Sequence, residues 1–202
     1  MSVYSKIYEE VLSVERDAVA SLLHSLDREV MDKIVNLLLT VKQNGKRVIT
    51  AGCGTSGIAA RKIAHTLSVI EVPSFFLSPE NSVHGGFGVI QDGDVVVLLS
   101  KGGNTQEILD YLPACNAKNA IIIGVTENED SVLGRNCNLL LKVAVEKEPC
   151  PWNLIASASI LAVIAAFDAI AFAVLHHNGL TKDDFYLIHP GGSAGEKLRP
   201  KI

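Results

Sequence analysis

Apolar residues first recur at helical spacing. Ile7, Val11, Val14, Ala18 and Leu22 fall on one helical face, as do Val30 or Met31, Ile34, Leu37, Leu38 and Val41. This spacing predicts two amphipathic helices, with Asp27 as N-cap of the second and Asn44-Gly45 as its stop. After Lys46 the texture changes. Short β-branched or aromatic runs at 48–50, 74–77, 95–99, 120–125 and 139–145 alternate with helical stretches. VVVLL, AIIIGV and LLLKVAV are apolar at nearly every position, as strands covered on both faces are. Strand, helix, strand in repetition implies right-handed βαβ units and a parallel sheet. The expected fold is α/β, a doubly wound three-layer sandwich of about five parallel strands flanked by helices. It is read as one domain over 1–202, with helices in 1–45 and the α/β core and C-terminal segment in 46–202.

The 22-residue stretch 154–175 (LIASASILAVIAAFDAIAFAVL) is long and apolar enough to span a bilayer. Asp168 lies inside it, Ser157 and Ser159 mark its start, and no Lys/Arg cluster flanks it. An Asp at mid-membrane costs roughly 2.5–3.5 kcal/mol. A helix buried on all sides, in a core or a subunit interface, fits better, and no membrane partner is expected.

The 202 residues suffice for one α/β domain with a full core. A composition 48% hydrophobic and 20% charged is that of a globular protein, and a net charge of -4 argues against a nucleic-acid surface. Any anion must therefore be held by a local site. Cys53, Cys115, Cys137 and Cys150 lie far apart without a C-x-x-C pair, and the chain opens on a polar helical segment. Reduced thiols, a cytoplasmic protein and no metal site are expected.

Candidate chemistry begins at VITAGCGTSGIAARKIA, where Gly52, Gly54 and Gly57 fit G-x-G-x-x-G between a strand and a helix. The pattern suits a bare tight turn, a dinucleotide or a smaller anion. A dinucleotide wants an acid at the end of the second strand, but that strand ends in Ser78 and Pro79, and Glu80 comes late. A second loop of the same design, LLSKGGNTQEIL, follows the third strand. Glycines let backbone approach a ligand, and helix N-termini aim N–H groups at an anion. Thr55 and Ser56 in the first loop, with Ser100 and Thr105 in the second, add hydroxyls. Two such loops at the C-terminal ends of parallel strands can pinch one phosphate, so a small phosphorylated ligand is the better reading. Lys101 either adds charge there or is simply solvated.

GCGTSG, PSFFLSPENSVHGGFG, LLSKGGNTQEI, EPCP and GLTKDDFYLIHPGGSAGEKL, in this order, resemble the sugar isomerase (SIS) domain, in particular the arabinose-5-phosphate isomerase (KpsF/GutQ) type. The resemblance runs from about Tyr8 to Leu198. It implies a five-stranded parallel sheet, no cofactor, and a phosphate held by Ser56, Ser100 and Thr105, with Thr55 beside them. It also implies interconversion of ribulose 5-phosphate and arabinose 5-phosphate through an enediol, with His84, Glu148 and His189 sharing the proton transfers. A homo-oligomer is implied too, a dimer-based tetramer in which histidines reach a neighbouring subunit's site. Many members carry two CBS domains after HPGG; this chain is expected to be a form without them.

The sequence departs from the family at several site positions. Thr55 stands where the family has a lysine, Asn104 where it has a glutamate, Gly86 for an aspartate and Gly102 for a serine; IASAS replaces a P-T-S-S-like run. Thr supplies no charge and Asn cannot act as a base; Lys101 is a candidate replacement cation and Asn104 an auxiliary. The expectation leans to an intramolecular aldose–ketose isomerase, with a phosphosugar-binding or sensing domain that has lost the reaction as the alternative. Each surviving residue also has a plain reading: His84 capping a turn, HPGG as a sharp turn, Glu148 as a surface acid. His24, His65, His176 and His177 match no motif.

Overall fold

The computed structural model describes residues 2–199; Met1 and residues 200–202 of the expected span lie outside them. The chain opens with α1 (Val3–Ser25) and α2 (Arg28–Val41). Asp27 caps α2, its Oδ1 accepting from the N–H groups of Glu29 at 2.9 Å and Val30 at 3.1 Å. Two of the donors that a helix start leaves open are thereby met. Gly45 takes a left-handed φ of 63°, the conformation that ends the segment at Asn44-Gly45.

Five strands follow: β1 (Val48–Gly52), β2 (Ser74–Phe76), β3 (Val95–Leu99), β4 (Ile121–Thr126) and β5 (Leu139–Lys142). All pairings are parallel, in the order β2-β1-β3-β4-β5, which bears out the doubly wound expectation. β1 and β3 are buried at every position because helices cover both faces. β5 stops at Lys142 rather than reaching Val145. It is the edge strand, and beyond Lys142 only the Val143 N–H continues the ladder, to the Thr126 carbonyl at 3.1 Å.

The remaining helices are α3 (Gly54–Val69), α4 (Pro79–Ser82), α5 (Gln106–Leu109), α6 (Tyr111–Ala117), α7 (Val132–Asn136), α8 (Ala158–His177), α9 (Lys182–Ile188) and α10 (Gly192–Leu198). One core lies between the sheet and α1, α2, α3 and α8, built on Ile34, Leu38, Ile63, Leu67, Phe167 and Ile170. The other lies under α5, α6 and α7, where Ile108, Tyr111 and Leu133 pack on Ile49, Val96 and Leu98.

Two helices leave apolar residues uncovered within one chain. The apolar stretch 154–175 is buried along one face of its helix, the rest of the burial expected in a core or a subunit interface lying outside a single chain. Its first four residues are loop, and α8 sets Ala162, Ala166, Ile170 and Val174 against the core while Leu161 and Phe172 face outward. Asp168 is ion-paired with Lys62 of α3, and small alanines let the helices close on one another. Among the described residues α8 is the one helix long and apolar enough to cross a membrane, by length and composition only. The stripe on α1 is also only half covered. Ala18 and Leu22 are buried, whereas Ile7 is 51% exposed. A helix of 23 residues is about 35 Å long, and α1 packs on α8, a helix of 20 residues that covers only part of it.

The turn from β1 into α3 brings backbone against backbone. A Cβ on Gly57 would sit 2.6 Å from the Gly52 carbonyl oxygen, and one on Gly52 2.6 Å from the Ser56 backbone. Gly57→Ala is therefore expected to cost roughly 1–3 kcal/mol, seen as a lower urea midpoint. An unchanged midpoint would mean that the turn yields freely.

Candidate functional site

β1 and β3 are neighbours, with Gly52 opposite Leu99, so their loops leave the sheet side by side. The chain after β1 crosses one face as α3, and the chain after β3 crosses the other as α5. Ligands bind where strand order reverses in this way. In the first loop Ser56 is half-buried in the opening turn of α3, and Thr55 is exposed. In the second loop Ser100 is buried, its Oγ hydrogen-bonded to Thr105 Oγ1 at 2.9 Å and accepting from the Gly103 N–H at 3.1 Å. Gly103 has φ 73°, and a Cβ there would lie 1.9 Å from Ser131 Oγ, so this loop closes only on glycine. Ser56, Ser100, Lys101 and Ser159 line one crevice of about 40 Å³ between the ends of β3 and β4 and the start of α8. One water needs about 10–15 Å³ by this measure, so the crevice has room for a compact oxyanion and not for a pentose.

Beside it lies a buried carboxylate. The Glu148 side chain is wholly inaccessible, and its Oε1 accepts from Lys101 Nζ at 2.8 Å. Its Oε2 accepts from the N–H groups of Ser157 at 2.9 Å and Ser159 at 3.3 Å. The Glu148 N–H donates to Asn153 Oδ1 at 2.6 Å, and the Ser157 hydroxyl bonds Glu15 of α1. The Lys101 backbone is fixed too, its carbonyl accepting from the Thr126 hydroxyl at 2.7 Å and the Glu127 N–H at 3.0 Å. Burial pushes the Glu148 carboxyl up, but the hydrogen bonds from Lys101, Ser159 and Ser157 outweigh it and bring it down to about 2. Glu148 is thus an anion at neutral pH and a poor proton acceptor.

Other expected residues lie elsewhere. Asn104 Oδ1 accepts from the Val132 N–H at 2.9 Å, at the start of α7. His84 is exposed in the loop after α4, its backbone N–H donating to the Asn81 carbonyl at 3.2 Å. His189 follows α9 with its ring stacked on Phe185 at 5.4 Å, and it shares a cavity of about 180 Å³ with His65 and Ser68 at the far end of α3. Ser68 is 12 residues beyond Ser56, about 18 Å along a helix. Within one chain Ser56, Ser100 and Lys101 line the crevice, Thr105 is tied to it through Ser100 and Glu148 through Lys101, and Thr55, His84 and His189 do not line it. The physical reason is topological: His84 sits beyond the short edge strand β2, and α9 docks at the opposite end of α3.

Three residues that the sequence reading did not single out support the site: Thr126, Asn153 and Ser159. Thr126 had a signal, as the polar residue ending a buried strand at the edge where the loops gather. Ser159 had one as well, lying in the IASAS run that follows EPCP, and Asn153 had none. On the other side of the glycine turn a cavity of about 480 Å³ is lined by Cys53, Arg61, Phe76, Glu80 and Glu107. The Arg61 guanidinium lies 3.9 Å over the Phe76 ring, and two carboxylates beside the turn disfavour a pyrophosphate.

The model of the SIS domain matches residues 42–173. The chain belongs to the SIS domain family. The arabinose 5-phosphate isomerase KdsD of Pseudomonas aeruginosa is 38% identical over 194 residues, 96% of this chain and 58% of that protein. A Listeria monocytogenes protein proposed to be a sugar-phosphate isomerase superposes with a TM-score of 0.91 at 40% identity, covering 95% of this chain and all of that one. An Escherichia coli CFT073 protein in complex with arabinose 5-phosphate superposes with a TM-score of 0.87 at 31% identity, covering 94% of this SIS domain chain and 100% of its own. The chain spans 58–59% of the length of the curated relatives it matches first.

The depressed Glu148 carboxyl stabilises the fold, with a sign that can be measured. Its contribution is complete above the ordinary value of 4.5 and is lost as pH falls through about 2. The stability gap between wild type and Glu148→Gln in urea titrations is expected to be flat above about pH 5 and to shrink steadily below it. A gap independent of pH down to about 2 would overturn this account.

Proposed function

We propose that this SIS domain is a sugar-phosphate aldose–ketose isomerase of the arabinose 5-phosphate/ribulose 5-phosphate type, acting through an enediol. The observation that carries the reading is the crevice itself: hydroxyl loops from two neighbouring strands meet there, leaving space for one phosphoryl group. A relative solved in complex with arabinose 5-phosphate supports the same ligand class. Ser56, Ser100 and Thr105 hold the phosphate with the N–H groups of their loops, and Thr55 stands at the mouth. The sugar extends outward past Lys101 and Glu148. A base removes the C–H proton next to the carbonyl and the electron pair moves onto the carbonyl oxygen, which takes a proton to give the enediol; the neighbouring hydroxyl then loses its proton as its carbon becomes the new carbonyl, and a proton returns to the former carbonyl carbon. His84 and His189 take part from neighbouring subunits of a homotetramer in the cytoplasm. Exposed Tyr4, Ile7, Tyr8 and Leu12 along α1 support such an assembly.

The alternative, a phosphosugar-binding domain without turnover, is favoured by Thr55, which bears no charge, and by Asn104, whose amide oxygen is occupied by α7. Proton NMR of ribulose 5-phosphate in D₂O separates the two. Appearance of aldose, or deuterium entering the sugar, is the expected result; binding without either would favour the alternative, and no binding would overturn both. Ser56→Ala and Ser100→Ala are each expected to raise KM about tenfold, the worth of one hydrogen bond to a charged group. Mixing inactive His84→Ala and His189→Ala chains is expected to restore part of the activity, and no recovery would remove the shared-site reading.

A further inference from the structure

The one cation lining the crevice, among the described residues, is Lys101. Its charge is not free. Glu148 holds the ammonium at 2.8 Å, and Glu127 lines the same crevice, so the lining carries no net positive charge with which to anchor a phosphate dianion. The hydroxyls and N–H groups of the two loops do that work. An ammonium has three N–H donors, and the pairing with Glu148 occupies one. Two remain, on a side chain still 39% exposed, and its backbone is fixed at both the Thr126 hydroxyl and the Glu127 N–H. Glu148 is itself held by two backbone N–H groups from the start of α8 and by Asn153. Fixed donors of this kind act most strongly where charge appears during a reaction, because they need no reorganisation at that moment.

We propose that Lys101 is the catalytic electrophile of this site, donating to the oxygen on which the enediolate charge develops, and that Glu148 is the positioning residue that aims it. The inference rests on the isomerase reading and deepens it. Glu148 then carries no proton during turnover. The C–H proton goes to a separate base, the electron pair moves onto the carbonyl oxygen, and the two free Lys101 N–H groups meet it there. Ser100 and Lys101 line the same crevice, so a phosphate at Ser100 brings the rest of its ligand within reach of the Lys101 side chain. The cation missing at Thr55 is supplied from the second loop.

The test compares two ligands by calorimetry. Arabinonate 5-phosphate carries a carboxylate at the end where the enediolate charge develops; arabinitol 5-phosphate carries a neutral hydroxyl there. Wild type is expected to hold the first about tenfold or more tighter than the second. Lys101→Met should abolish that preference, weakening arabinonate 5-phosphate about tenfold more than arabinitol 5-phosphate, and should lower kcat on ribulose 5-phosphate about a hundredfold, more than it raises KM. Lys101→Arg should recover part of both, and Glu148→Gln should lose the preference without moving the acid limb of the pH–rate profile. The double variant Lys101→Met, Glu148→Gln, which leaves no unpaired buried charge, guards against a folding defect and should behave as Lys101→Met does. A preference that survives Lys101→Met, or a KM that rises while kcat holds, would overturn the proposal and leave the isomerase reading standing. Wild type that binds neither ligand would overturn both.

Discussion

The site depends on one pairing, the parallel register of β1 with β3. Gly52 lies opposite Leu99, so the two strands run out at the same level one sheet spacing apart, about 4.8 Å. Their chains then diverge to opposite faces, and Ser56 is brought to the crevice that opens between the ends of β3 and β4 and the start of α8. Both loops need glycine for different reasons: the first because β1 and α3 touch through backbone, the second because Gly103 sits against the Ser131 hydroxyl in a left-handed turn. A slip of one residue in that register would move Ser100 away from Ser56 and dissolve the crevice.

The buried Glu148 carboxylate is compensated where it stands. A carboxylate removed from water costs several kcal/mol unless its partners are well placed, and here it has an ammonium and two N–H groups. The surroundings tie three distant parts of the chain together: the loop after β3, the EPCP loop, and α1 through Glu15 and Ser157. A carboxylate with both oxygens engaged is held rigidly, which would suit the positioning role proposed for it.

Most of the fold can be read from the sequence because its signals are local. Alternating buried runs and helical stretches mark β1 to β5, and Asp27 announces the start of α2. The hydroxyl loops are legible for the same reason, since Ser56, Ser100 and Thr105 each sit in a short glycine-bearing segment just past a strand. What stays hidden depends on three-dimensional distance. Lys101 and Glu148 are 47 residues apart, and nothing near either marks the other as its partner. His189 is conspicuous in HPGG, yet its place at the far end of α3 follows from how α9 docks. The outward faces of α1 and α8 escape a sequence reading because apolar periodicity records which residues avoid water and not how far a neighbouring helix extends to cover them.

The narrowness of the crevice has a consequence for selectivity. A recess that admits a single tetrahedral group reads only the end of its ligand, and a four-, five- or six-carbon chain looks alike from inside it. In the proposed isomerase, discrimination between homologous sugars would fall to residues outside the crevice, such as Trp152, Leu154 and Ile155, exposed on the loop that carries Glu148. Changes on that outer rim would retune which carbohydrate is accepted while the grip on its terminal group stays as it is.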